Sequence, residues 1–323
     1  MATGVALRPA TVADASLLRT WDEAPHVVAS DPNDDWHWDV ELARTPRWRE
    51  QLIAELQGTP VGFVQIIDPR DEDGHYWGDE VPPNLRAVDI WIGDARFLGR
   101  GLGTEVMQRV LARCFAPPAV EAVLVDPLAG NDRAHRFYER LGFRRVGPRR
   151  FGADDCIVYR LDRSDWTVYE RAAREQAIEQ TVFIAATQEQ AWDALTRPEL
   201  TERYWSGTRI ESDWSVGSAI RYVNGGELTD EHMVLEIEPP RRLVQTFRPL
   251  FGEFRHERPS HVELTLRSGG AVVRLGVRHD GFAPGSTVFE ACREGWPSIL
   301  SSLKSLLETG RPLPEFTPRD GTG

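Results

Sequence analysis

Leu98-Gly99-Arg100-Gly101-Leu102-Gly103-Thr104 is the stretch on which the reading of this chain turns. It follows an apolar strand over 85–92. It precedes a segment, 103–115, in which Val106, Met107, Val110, Leu111 and Phe115 recur at helical spacing. Alternating glycines let backbone amides approach a ligand closely, and the following helix adds the partial positive charge of its N-terminus. Such a loop suits a pyrophosphate. In a dinucleotide-binding fold it would follow the N-terminal strand, with an acidic ribose ligand about 20 residues on. Here it follows the third long strand. Asp126 lies at roughly that distance, but Pro127 comes next and then a tyrosine-bearing helix.

Outward from the loop, strands and helices alternate. Strands are predicted over 5–8, 48–56, 60–67, 122–125 and 156–161, and helices over 13–21 and 131–141. Gln57-Gly58-Thr59-Pro60 reads as a hairpin turn, Asn131 as a helix cap and Gly142 as a helix stop. Residues 162–179, rich in charge and alanine, read as a connector with helical tendency. The pattern then restarts. Strands are predicted over 181–185, 219–223, 233–238, 242–247, 261–266 and 272–279. Short helices are predicted over 188–195 and 198–205, and a long one over 288–307. The polar, Pro/Gly-rich end reads as a loose tail.

The charge is unevenly spread. Between Asp22 and Asp94 there are 17 acids and 5 arginines, a balance of −12 that equals the net charge of the whole chain. An acidic region argues against nucleic acid and for a cationic partner. No run approaches the roughly 18 apolar residues of a membrane span. The start, Met1-Ala2-Thr3-Gly4-Val5, has no basic-then-apolar signal pattern. Cys114, Cys156 and Cys292 are few and widely spaced, which suits reduced thiols in a cytoplasmic protein. The eight histidines show no metal-ligand spacing, so no metal is expected.

Three motifs then fall in order: Ala87-Val88-Asp89-Ile90-Trp91-Ile92-Gly93, the glycine loop, and Asn131 through Phe143 with Tyr138 inside it. Together they resemble the GNAT N-acetyltransferases over about residues 5–162. The resemblance implies acetyl-CoA as cofactor, its pyrophosphate held by Leu98, Gly99, Arg100, Gly101, Leu102, Gly103 and Thr104. The strand at Ile90, Trp91 and Ile92 would receive the pantetheine, with Asn131 and Tyr138 near the thiol. One departure is Leu98, where the family usually has Gln or Arg. Because the cradle is made of backbone amides, this removes a side-chain contact and leaves the site itself.

Within the family the closest pattern is that of the aminoglycoside 6′-N-acetyltransferases: an Asp in the strand before the loop (Asp89), an Asp-Pro after the next strand (Asp126-Pro127), and an acidic, Trp-rich acceptor side. That side holds Tyr76 beside Trp36, Trp38, Asp39, Asp73 and Trp77, and these last five would bind the acceptor with Asp89 and Asp126. An amine must be neutral to attack a thioester, so a carboxylate near its ammonium can hold it and take its proton. Asp89 and Asp126 are the candidates, and Tyr138 is the candidate donor to the departing thiolate. Acetylation of an aminoglycoside, giving resistance, is the leading expectation. An acetyltransferase for a siderophore precursor or a protein N-terminus, and a ligand sensor without catalysis, stay open.

The second half resembles the START-like domains of the heat-shock ATPase activator homologue type, over about 179–308. The resemblance rests on Thr181 to Ala186, Ala191 to Leu200, Tyr204-Trp205, Val234 to Val244, and a last helix bearing Trp296, Leu300, Leu303 and Leu307. It implies a helix-grip fold: an antiparallel sheet curved around a long C-terminal helix, with a cavity for an apolar ligand. The expected chain is therefore a two-domain α/β (α+β) protein. Residues 1–165 are a mixed GNAT sheet with flanking helices, 166–178 a linker, 179–311 the START-like domain and 312–323 a flexible tail. The sequence leaves the oligomeric state open.

Overall fold

The first sheet is built outward from a hairpin. β1 (Val5–Pro9) leads through a short 3-10 turn to α1 (Ala15–Asp22), α2 (Pro25–Val28) and α3 (Trp38–Glu41). β2 (Arg49–Leu56) and β3 (Thr59–Ile67) then pair antiparallel. Gln57 and Gly58 both turn with positive φ, the twist that suits a tight hairpin. β4 (Leu85–Ile92), α4 (Leu102–Phe115), β5 (Ala122–Val125), α5 (Asp132–Arg140), β6 (Arg144–Phe151), β7 (Asp154–Asp162) and α6 (Arg163–Glu175) follow. The strand order is β1-β2-β3-β4-β5-β7-β6, antiparallel except for the parallel pair β4–β5. α4 buries Leu102, Val106, Met107, Val110 and Leu111, the face its periodicity foretold.

The computed structural model describes residues 4–33 and 36–314, without the side chains of 172–174; residues 315–323 of the expected tail lie outside the described residues. The chain divides into two compact units, Met1–Arg171 and Ala172–Gly323. The segment expected as a linker, 166–178, is largely α6. Its Trp166 and Tyr169 are buried, with Trp166 stacked 6.0 Å from Phe115 and the Tyr169 hydroxyl accepting from Gln108 at 3.0 Å. Apolar burial therefore claims the start of that segment for the first unit.

In the second unit β8 (Ile178–Ile184), α7 (Gln188–Thr196), α8 (Pro198–Tyr204), β9 (Thr208–Ser212), β10 (Ala219–Asn224), β11 (Glu227–Glu238), β12 (Arg242–Phe247), β13 (Ser260–Ser268) and β14 (Val273–Asp280) precede α9 (Thr287–Thr309). The sheet order is β8-β14-β13-β12-β11-β10-β9, antiparallel throughout. α9 buries Val288, Trp296, Leu300, Leu303 and Leu306 against it. Glu257 caps the start of α9, accepting from Thr287 N at 2.7 Å and Val288 N at 3.2 Å.

Among the described residues, the aromatic heart of this grip holds little open space. The space bounded by Tyr204, Trp205, Tyr222, Trp296 and Leu303 amounts to about 10 Å³. A small-molecule site needs several hundred. Aromatic rings fill it: Trp205 packs edge-on against Tyr222 at 5.5 Å and Trp296 at 5.7 Å. Among the described residues no helix is long and apolar enough to cross a membrane.

Candidate active site

β4 and β5 hydrogen-bond to each other only through Leu85, Arg86 and Ala87 with Ala122, Val123 and Leu124. Beyond that the two parallel strands part, and a crevice opens. Asp89 lies two residues past Ala87, and Asp126 two past Leu124. Side chains alternate along a strand, so both carboxylates leave on the face that carries Leu85, Ala87, Ala122 and Leu124. That face is covered by Trp77, Phe151 and Cys156. The split thus brings together two residues that are far apart in the chain.

Each carboxylate receives a neutral donor. Gln65 Nε2 donates to Asp89 Oδ2 at 3.0 Å, and the Tyr76 hydroxyl donates to Asp126 Oδ2 at 2.8 Å. Tyr138 is buried on α5, its ring 5.5 Å from Phe143. Burial, and then the charges of Asp89 and Asp126, hold its phenol well above the usual tyrosine range. The Tyr76 hydroxyl is raised too, by burial and then by Asp126. Burial, with Asp126 contributing, also raises the Glu72 carboxyl. Asp89, Asp126, Tyr138, Tyr76 and Glu72 thus share one electrostatic neighbourhood. Cys156 borders it, and its thiol is pushed up to about 12 by burial and then Asp126, which makes it inert as a nucleophile.

The glycine loop fits an anion. Gly99 and Gly101 adopt φ of 74° and 92°, and Gly101 is the N-cap of α4 with no side chain capping it. A side chain at either position would be strained, whereas glycine leaves the helix start open to a ligand. Among the described residues nothing accepts from the buried indole Nε1 of Trp91, whose ring packs on Trp36, Trp38 and Phe63. Ile90 and Trp91 are half-buried and Ile92 is buried, its carbonyl 2.7 Å from His26 Nε2. Just beyond, Gly93 is packed so tightly that an added Cβ would lie 2.0 Å from the Trp21 ring. Leu98 ends a 3-10 turn, and Leu102 and Thr104 are buried. Asn131 caps α5, its carbonyl oxygen accepting from Ala134 N at 3.0 Å.

The expected acceptor side is rearranged. Trp38 is 1% exposed and Trp77 is 5% exposed. Neither can stack on a sugar: Trp38 packs between Trp36 and Phe63 and donates its indole N–H to Asp22, and Trp77 packs edge-on to Phe151. A tryptophan amid polar residues reads as exposed in sequence, but long-range packing and a carboxylate for its N–H bury it here. Trp36 stays half-buried, stacked on Trp38 at 4.8 Å and 5.9 Å from Trp91. With Asp22, Asp39 and Arg19 it lines an open cleft of about 560 Å³. Asp39 pairs with Arg19, and Asp73 with Arg44 at 3.3 Å. The exposed aromatic beside Asp126 is Tyr76, 47% exposed and stacked on Phe151 at 4.4 Å. Gln65 and Glu72 are the polar residues that sequence reasoning left out of the site.

The chain resembles known proteins in both halves. Residues 10–151 match the family model described as the Acetyltransferase (GNAT) domain, and 185–308 match the Activator of Hsp90 ATPase homolog 1-like protein. The chain is 31% identical over 158 residues to the aminoglycoside N(6')-acetyltransferase type 1 of Klebsiella pneumoniae, covering 44% of this chain and 75% of that protein. It is 31% identical over 171 residues to the lysine N-acyltransferase MbtK of Mycolicibacterium paratuberculosis, covering 49% and 73%. A solved structure of the aminoglycoside acetyltransferase AAC(6')-Ib with coenzyme A and kanamycin is similar to the first half, at 27% identity and a TM-score of 0.47, covering 51% of this chain and 98% of that one.

Proposed function

The chain belongs, through its first half, to the GNAT acetyltransferases, and on that premise we propose that it moves an acetyl group from acetyl-CoA to the 6′-amine of an aminoglycoside, conferring resistance. The observation that carries the reading is the pair Asp89 and Asp126 at the parting of β4 and β5, each oriented by a neutral donor. Two carboxylates on one face suit an acceptor with several ammonium groups: one can be deprotonated while another is held.

Acetyl-CoA, when bound, supplies the acyl group as a thioester. The loop from Leu98 to Thr104 would hold its phosphates with backbone amides and the start of α4, and β4 would line the path of its arm. Asp89 or Asp126 takes the proton that the acceptor ammonium must lose, directly or through water. Tyr138 keeps its own proton. A phenol held above its usual range is a far weaker acid than a thiol near 8.5. Its hydroxyl therefore stabilises a departing sulfur as a hydrogen-bond donor and leaves proton delivery to the carboxylate–water path.

A second reading, acylation of a lysine amine, is favoured by the equal identity to the mycobacterial lysine N-acyltransferase. Thiol release from acetyl-CoA with kanamycin, free lysine and a short peptide as acceptors separates the two. The proposal expects kcat/KM for kanamycin at least about a hundredfold above the others. Preference for lysine would replace it by the second reading.

A further inference from the structure

Gln51, Gln65 and Asp89 stand directly opposite one another on three adjacent strands: Gln51 faces Gln65 across β2–β3, and Gln65 faces Asp89 across β3–β4. Gln51 Nε2 donates to Gln65 Oε1 at 3.2 Å, and Gln65 Nε2 donates to Asp89 Oδ2 at 3.0 Å. We propose that Gln65, backed by Gln51, is a positioning residue that fixes the Asp89 carboxylate for the acceptor amine; this rests on the acetyl-transfer reading.

The direction of the ladder follows from chemistry. An ionised carboxylate only accepts, so Gln65 must turn its NH2 group toward Asp89. Its Oε1 then faces Gln51 and needs a donor, so Gln51 must present NH2 in turn. Both amide dipoles point their positive ends at the carboxylate. Reversal of Gln65 would set two oxygens face to face on the Asp89 side.

Gln65 is also in a costly place. It is 5% exposed, within Val61–Ile67, where Val61, Phe63, Val64, Ile66 and Ile67 are all buried. An apolar side chain there would pack without needing partners, whereas a buried amide costs stability unless both its ends are satisfied. The ladder satisfies both ends, and its terminus is the carboxylate at the open crevice.

Tyr138 from α5 and Tyr76 from the loop before β4 both feel the charge of Asp89, and Asp126, past β5, acts on both tyrosines as well. Tyr138 and Tyr76 stay protonated across the ordinary pH range, so an acid-side titration in this crevice belongs to the carboxylates. Loss of the Gln65 hydrogen bond should raise the proton affinity of Asp89, because that bond stabilises the ionised form.

The test uses the full chain labelled with 13C at aspartate carboxyls, the Asp89 signal being identified by its loss in Asp89→Asn. Wild type, Gln65→Leu and Gln51→Leu are titrated by NMR, and thiol release with kanamycin is followed in parallel. Gln65→Leu should move the Asp89 titration up by about one pH unit and lower kcat about tenfold, with KM for acetyl-CoA unchanged. Gln51→Leu, at the half-buried end of the ladder, should shift it the same way by a few tenths of a unit. It carries the test if Gln65→Leu does not fold. An Asp89 titration unchanged in a folded variant overturns the proposal even where kanamycin is acetylated. A shifted titration with no thiol release from any of kanamycin, lysine or peptide overturns the acetyl-transfer reading, and with it the ladder's part in a reaction.

Discussion

Each unit of this chain holds polar and titratable groups on one face of a seven-stranded sheet, and each treats them differently. In the first, β4 and β5 part and leave Asp89 and Asp126 half-buried beside a crevice. In the second, the groups are sealed. His279 is fully buried between Ser260, whose Oγ lies 2.8 Å from Nε2, and Trp296, whose indole N–H donates to Nδ1 at 3.1 Å. His232, also fully buried, accepts from Arg248 N at 2.8 Å and stacks on Phe247 at 4.8 Å. The sheets are alike in strand number, and the difference lies in whether two neighbouring strands stay together. Where they part, two carboxylates stay half-buried; where they do not, the imidazoles of His279 and His232 are sealed among aromatic rings.

The largest expected effect falls on the crevice side. Gly101→Asp forces a side chain into a left-handed conformation and sets a negative charge at the start of α4. Acetyl-CoA affinity should fall at least about a hundredfold, measured by calorimetry on a variant whose circular dichroism matches wild type. Unchanged affinity would remove the loop from the site and break the contrast between the units.

A smaller effect should appear in the sealed unit. Burial lowers His232 to about 3, and His279 is lowered as well, by burial and then by its histidine neighbours. A lowered folded value contributes stability that is present above the unfolded value of about 6.5 and is lost as pH falls from there. Burial raises Asp230 to about 6, which works the other way: its contribution is lost as pH rises from about 3.8 to 6. Two histidines outweigh one aspartate, so the second unit should lose on the order of 2 kcal/mol between pH 7 and 5. Its calorimetric transition should drop by several degrees, and His232→Asn should flatten that slope. A transition that rises toward pH 5 would show that these groups are not sealed.

Much of the crevice could be read from sequence because its signals are local. The glycine loop, the periodic helix after it, Asp89 in an apolar strand, and Asn131 at a helix start each announce themselves within a few residues. Other parts are settled by distant partners. Gln65 sits in a run that reads as pure core, and only the strands on either side give it a purpose. Glu72 lies in a loop whose path sequence does not define. Trp38 and Trp77 look exposed because their neighbours are polar, and α1 and Phe151 bury them. β6 was not foreseen: an edge strand with Arg144, Arg145, Arg149 and Arg150, broken by Gly147-Pro148 and mostly exposed, shows no alternation. β11 starts at Glu227, ahead of its apolar part, because Gly225 and Gly226 turn the chain back with positive φ and pair Glu227 with Asn224.

The central claim is that the chemistry belongs to the first unit alone, and acetyl transfer by that unit in isolation tests it most directly. The fragment should run through residue 175, since a cut at 165 would strip Trp166 and Tyr169 from the face they cover. Thiol release with acetyl-CoA and kanamycin is compared between this fragment and the full chain. The account predicts kcat/KM within about threefold of the full chain. A folded fragment that binds acetyl-CoA and releases no thiol would contradict it, and would place part of the active site in the second unit.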